Sequence, residues 1–241
     1  MKSCLIITSC IYPFASFVKL INPIEREQLH ISALKRWIVE SSFETIIICD
    51  NSNYVYCDEL ILLAANHGKI LEVLFFEGDK DKSKRLGKGY GEGEIIEYVF
   101  NNSNYINEFN SFFKVTGKLF VENCNEYMNF QDVDFAFDFS YSFYWNKDKV
   151  DCVFTNFYYA NLISFRLFLK DQYLNVRDNE GFFLEHAYAS ALQKTLNVKI
   201  LPIVPSISGI SGSSGTRYSY TRKLIAVVKK TLLLSTFIRK F

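Results

Sequence analysis

The chain has 241 residues, 49% hydrophobic and 17% aromatic, and a formal net charge of +1. A chain of this length and apolarity can bury a substantial core, which excludes a disordered segment or a disulfide-stapled miniature. The small net charge hides a split: residues 1–185 carry 18 basic against 26 acidic groups, and residues 186–241 carry nine basic and no acidic ones. That division suits an anionic membrane surface better than nucleic acid, and the alternative is a basic tail packed on its own acidic body.

The first segment, Met1-Lys2-Ser3-Cys4-Leu5-Ile6-Ile7, looks superficially like a signal peptide. Polar Thr8 and Ser9 interrupt its short apolar run and no small-residue cleavage site follows, so a buried strand over Leu5 to Ile11 is expected. Asn22-Pro23 opens a helix running from Ile24 to Glu40, with Ile31, Leu34 and Ile38 at helical spacing. A strand from Glu44 to Cys49 closes in the turn Asp50-Asn51-Ser52. A short helix from Asp58 to Asn66 and a third strand from Lys69 to Phe76 follow. This β-α-β-α-β order predicts an α/β fold with a largely parallel sheet in three layers. Ligands of such sheets collect at the carboxyl ends of the strands, which places Thr8-Ser9 and Asp50-Asn51 side by side at one rim.

The run Gly87-Lys88-Gly89-Tyr90-Gly91-Glu92-Gly93-Glu94 then leads into a helix from Ile95 to Asn101, and a strand spans Phe112 to Val121. Within that strand Lys114, Thr116 and Lys118 alternate onto one face. Backbone N–H groups at a helix start and two lysines flanking a threonine are the parts that hold a diphosphate. The run fits neither the dinucleotide fingerprint nor the P-loop ending. A flexible turn and a solvent-exposed strand face are the plainer alternatives.

Strands over Val133 to Tyr141 and Val150 to Tyr159, helices over Asn161 to Tyr173 and Gly181 to Leu196, and a last strand from Lys199 to Val204 complete the body. Residues 1–205 are expected to form one catalytic domain, 206–220 a glycine- and serine-rich linker or lid, and 221–241 a basic apolar helical tail. Asp132-Val133-Asp134 could hold Mg²⁺ or Mn²⁺ on a diphosphate, or be a solvated strand face. Glu185 enters a helix beside Phe182, Phe183 and Leu184. It could take a proton from a hydroxyl as a general base, with His186 as substitute, or compensate the helix N-terminus. His30 and His67 read as surface or turn residues. Six scattered cysteines without CxxC spacing suggest neither zinc nor disulfides and fit a reducing cytosol.

With these residues the chain resembles bacterial surface-polysaccharide glycosyltransferases, of the lipopolysaccharide and capsule kind, with a GT-A-like nucleotide-diphospho-sugar transferase fold. The resemblance spans roughly residues 3 to 205. The Leu5 to Ser9 strand and Asp50-Asn51-Ser52 look like that family's nucleoside-holding loops. Lys88-Gly89-Tyr90-Gly91-Glu92 with Lys114-Val115-Thr116-Gly117-Lys118 looks like its transferase pattern, and Glu185 stands where many members carry an acidic base. The resemblance implies transfer from a nucleotide sugar, UDP-linked, to a lipid-linked or polysaccharide acceptor at the inner face of the cell membrane. It further implies donor contacts from Thr8, Ser9, Asp50, Asn51, Lys88, Gly89, Lys114, Thr116 and Lys118. Metal-dependent members place an Asp-x-Asp where this chain has its two lysines, so cations are favoured over a metal for the leaving diphosphate. A sugar nucleotidyltransferase and a non-catalytic membrane-associated scaffold are the rival functions.

Overall fold

A computed structural model describes residues 3–15, 18–130, 133–139, 151–193, 197–212 and 215–218. Nine strands and six α-helices are found among these residues. Their order is β1 (Ser3–Ser9), α1 (Pro23–Glu40), β2 (Thr45–Asp50), α2 (Asp58–Asn66), β3 (Ile70–Phe75), α3 (Lys80–Leu86) and α4 (Lys88–Asn102). Then come β4 (Ser111–Thr116), β5 (Leu119–Val121), β6 (Phe135–Phe139), β7 (Val153–Asn161), α5 (Leu162–Phe168), α6 (Leu184–Leu192), β8 (Val198–Ile200) and β9 (Ile207–Gly209).

Seven strands form the main sheet in the order β3-β2-β1-β4-β7-β6-β8, and β5 pairs with β9 in a small second sheet. The pairs β3–β2, β2–β1, β1–β4 and β6–β8 are parallel; β7 runs antiparallel to both β4 and β6. The chain leaves β1 for β2 and β3 on one side and returns to β4 on the other. The carboxyl ends of β1 and β4 therefore flank a crevice at the point where the order reverses.

Two apolar layers cover the sheet because its central strands alternate between them. Cys4 and Ile6 face a core built with Ile95, Ile96 and Val99 of α4 and Leu184 and Tyr188 of α6. Leu5 and Ile7 face the opposite core with Leu34, Trp37 and Ile38 of α1 and Leu60 of α2. Helix α1 starts where expected: Asn22 accepts hydrogen bonds from the Ile24 and Glu25 amides, and Pro23 occupies the first turn.

Three departures from the sequence expectation bear on the site, besides shorter bounds for the helices expected over Asn161 to Tyr173 and Gly181 to Leu196. The glycine run lies inside α4 and is helical from Lys88 onward. Its glycines serve close packing: a Cβ on Gly93 would fall 2.1 Å from Tyr173 Cβ, and one on Gly89 would fall 3.0 Å from Leu184 Cβ. Gly87, at φ +111°, has both a left-handed backbone and Asp178 where its side chain would be.

The strand expected over Phe112 to Val121 breaks after Thr116. Gly117 turns beneath the end of β1, donating to the Thr8 carbonyl at 2.8 Å, in a space where a Cβ would strike His30. Finally, residues within 206–220 form β9, whose pairing with β5 fixes that part of the segment against the body. The 221–241 tail and Asp132 lie outside the described residues.

Candidate functional site

A cavity of about 240 Å³ opens at the carboxyl ends of β1 and β4. Thr8, Ser9, Asn51, Lys88, Gly89, Thr116, Lys118 and Glu185 line it, so eight residues singled out in the sequence meet on one wall or another. The rim pairing also forms: Ser9 sits opposite Asp50 in the β1–β2 register. Residues that sequence reasoning did not select complete the lining, among them Arg26, His30, Ser83, Glu92, Thr155 and Asn156.

One side of the cavity is cationic. Lys118 is 8% exposed, and no hydrogen bond or ion pair holds its ammonium among the described residues. The turn at Gly117 carries it away from the β4 face and toward Gly212, where a Cβ would lie 2.7 Å from Lys118 Nζ. Burial, with Arg26 and Lys88 nearby, pushes its pKa down from 10.5 to about 7. Arg26 is buried and donates to the Cys10 and Leu20 carbonyls; burial lowers its pKa as well. A buried ammonium without a counterion is costly, and a bound anion would relieve that cost.

The β1–β2 rim is organised from behind by Asp50. This carboxylate is fully buried and accepts from Ser9 Oγ at 2.6 Å, Ile11 N at 3.0 Å, and Ser52 N and Oγ at 2.7 and 2.6 Å. Asp50 thus shapes the loops at the rim and does not itself line the cavity, contrary to the expected nucleoside contact. His30 is likewise fully buried, not a surface residue. Arg26, His30, Leu34 and Ile38 recur every four residues on the core face of α1, a stripe visible in the sequence. Ser9 Oγ gives its proton to Asp50 and lies 3.1 Å from His30 Nδ1 and 2.8 Å from Tyr56 OH. Burial and the cations Lys118 and Arg26 hold the His30 pKa well below 6.5, so the ring is neutral.

Lys114 is not on the cavity wall. Its side chain is fully buried, and its ammonium donates to Glu92 Oε1 at 2.5 Å, the Thr155 carbonyl at 2.8 Å and Thr116 Oγ1 at 3.2 Å. Burial lowers its pKa and Glu92 opposes that shift. With all its protons engaged inside the protein, it is not available to a diphosphate.

The start of α4 is likewise taken by protein. Asp178 lies against Gly87 and accepts from the Gly89 amide at 3.5 Å. This carboxylate stands where the sequence suggested an anionic ligand, and burial raises its pKa.

Glu185 lies on the first turn of α6 and faces the cavity, with its Oε1 accepting from Thr155 Oγ1 at 3.0 Å. His186 turns elsewhere: its Nδ1 accepts from the Phe183 amide at 3.1 Å and its ring stacks on Phe182 and Phe183. It caps the helix and does not line the cavity. Asp134 accepts from Ser164 Oγ at 2.5 Å and is also absent from the lining. Among the described residues, no three His, Cys, Asp or Glu side chains converge as a metal site. The Asp134 carboxylate, spent on Ser164, does not fit a metal held on a diphosphate in this cavity.

Residues 210–212 and Tyr218 close one side. Ile210, Ser211, Gly212 and Tyr218 line the cavity, and the Gly212 carbonyl accepts from the Lys19 amide at 3.1 Å.

No protein-family model matches the chain, and no curated protein matches it in sequence. Solved structures do match in fold. The galactosyltransferase LgtC, determined with donor and acceptor sugar analogs, superposes with a TM-score of 0.54 at 8% identity, covering 96% of this chain and 95% of that one. The glycosyltransferase GlyE of Streptococcus pneumoniae TIGR4 gives 0.52 at 9% identity over 84% of this chain and 45% of that one. The bifunctional glycosyltransferase WbbM gives 0.51 at 7% identity over 95% and 44%. The chain thus spans less than half the length of GlyE and WbbM in these matches. At such identities the likeness is one of fold: the chain has the α/β, mostly parallel GT-A-like architecture of these glycosyltransferases.

Proposed function

We propose that the protein is a glycosyltransferase that takes a sugar from a nucleotide-diphospho-sugar, UDP-linked, and passes it to a glycan acceptor. The observation that carries this is Lys118, 8% exposed and lining a cavity at the reversal point of a GT-A-like sheet, with no hydrogen-bond or ion-pair partner for its ammonium among the described residues. Thr8, Ser9 and Asn51 would hold the nucleoside at the β1–β2 rim, behind which Asp50 fixes the loops. Arg26, Lys88 and Lys118 would stabilise charge on the departing diphosphate, a role that divalent ions fill in other transferases. Glu185 shares the same cavity and would draw the proton from the acceptor hydroxyl, which then displaces the diphosphate at the anomeric carbon with inversion.

The acceptor is a lipid-linked or lipopolysaccharide/capsule glycan, presented at the cytoplasmic leaflet. The charge split of the sequence supports this, since the nine basic groups after Glu185 would hold the enzyme at an anionic surface. Among the described residues no helix is long and apolar enough to cross a membrane. Calorimetric titration with a panel of nucleoside diphosphates and their sugars, with and without EDTA, tests the assignment. Binding of a uridine diphosphate that survives EDTA is expected; absence of binding by any member overturns it.

A further inference from the structure

The β4–β7 ladder ends at the pair Val115–Phe157, so residues 153–156 of β7 are not paired with β4. On the other side β6 pairs Phe137 with Tyr158 and Phe139 with Val153. Residues 154–157 therefore stand opposite Asp138 alone, in a large bulge. Bulges re-aim side chains beside active sites, and they leave backbone groups needing partners. Here the bulge turns Phe154, Thr155 and Asn156 to the cavity. The orphaned Thr155 carbonyl is taken by Lys114 Nζ at 2.8 Å. The Thr155 hydroxyl in turn donates to Glu185 at 3.0 Å, and the second arm of Lys114 reaches Glu92 on the same cavity wall.

We propose that Lys114 is a positioning residue. It fastens the bulged segment of β7 under the cavity, and through Thr155 it fixes where the Glu185 carboxylate points. The assignment builds on the transferase reading but gives Lys114 a different task from diphosphate binding, the task its place in the sequence suggested. An ammonium suits this position because one group offers three protons to three acceptors from two elements and a bulge. A hydrophobic replacement would leave the buried Thr155 carbonyl without this donor and the Glu92 carboxylate, partly exposed to the cavity, without its cation.

The test uses the full chain and separates turnover from binding. Thr155→Val removes the hydroxyl while keeping the shape of the side chain, and Thr155→Ser keeps the hydroxyl. Thr155→Val is expected to lower kcat by about 10- to 100-fold, the usual effect of misplacing a catalytic group. UDP affinity should stay within about threefold, since only a transition-state interaction is lost. Thr155→Ser should restore most of the turnover. Lys114→Met, if its circular dichroism is native, should behave as Thr155→Val does, and adding Thr155→Val to Glu185→Gln should cost nothing more. A Thr155→Val protein with wild-type kcat overturns the proposal. So does a Lys114→Met protein that keeps its kcat but loses UDP affinity. Should wild-type protein bind no UDP and turn over no donor, the transferase reading falls separately. The positioning claim is then decided by a crystal structure of Thr155→Val: a displaced Glu185 carboxylate supports it and an unmoved one overturns it.

Discussion

Replacing Lys118 by methionine should make the protein more stable and less able to bind its ligand. The displacement of its pKa from 10.5 to about 7 corresponds to about 5 kcal/mol favouring the neutral amine over the buried ammonium. The unfolded chain binds this proton more tightly than the folded one between pH 7 and 10.5, so stability rises with pH across that window. Below pH 7 both states carry the proton and the penalty is fully present. Lys118→Met should therefore raise the urea midpoint at pH 6, with about 5 kcal/mol as the upper limit, and flatten the rise toward pH 10. A bound diphosphate reverses the balance by favouring the ammonium. UDP binding near pH 7 should therefore draw protons from the buffer, measurable by calorimetry in two buffers of different ionisation heat. Losing a charged contact worth about 1.5–3 kcal/mol should weaken UDP by roughly 10- to 100-fold in the variant. A variant that is less stable at pH 6 and binds UDP as tightly as wild type would refute the reasoning, since the buried charge would then serve the fold alone.

Other outcomes follow from the same geometry. Glu185→Gln should cut transfer by about 10²-fold or more while leaving UDP affinity near normal; unaffected turnover would remove Glu185 as the base. Gly93→Ala would force a methyl to within 2.1 Å of Tyr173 Cβ, and the overpacking should lower Tm on the order of 5 °C; an unchanged melt would mean that α4 and the Tyr173 turn shift apart freely. Deleting residues 221–241 should release the protein from liposomes containing phosphatidylserine but not from the donor, and persistent liposome binding would rule out the tail as the membrane contact.

Local periodicity was enough to set out the frame. Apolar runs such as Leu5 to Ile7 and Ile46 to Ile48 are buried on both faces, and the helix signal at Asn22-Pro23 is purely local, so the crossover order and the parallel half of the sheet could be read directly. The rim of Thr8, Ser9 and Asn51 followed from that order, because parallel strands align their carboxyl ends. Glu185 followed from its helix-start position. What the sequence could not fix was the direction of charged groups after a break in alternation. The two lysines flanking Thr116 look equivalent in a continuous strand. The close approach of His30 and the Thr8 carbonyl to Gly117 ends that strand, sends Lys118 to the cavity and leaves Lys114 beneath it. The glycines at the start of α4 read as flexible because their role lies in partners 80 to 95 residues away, Tyr173, Asp178 and Leu184, which pack too close for a Cβ. Short-range spacing determined which elements form and in what order. Contacts between residues distant in the chain decided that Lys118 lines the cavity while Lys114 is held by Glu92, Thr116 and Thr155, because the turn at Gly117 is set by groups far from it in sequence.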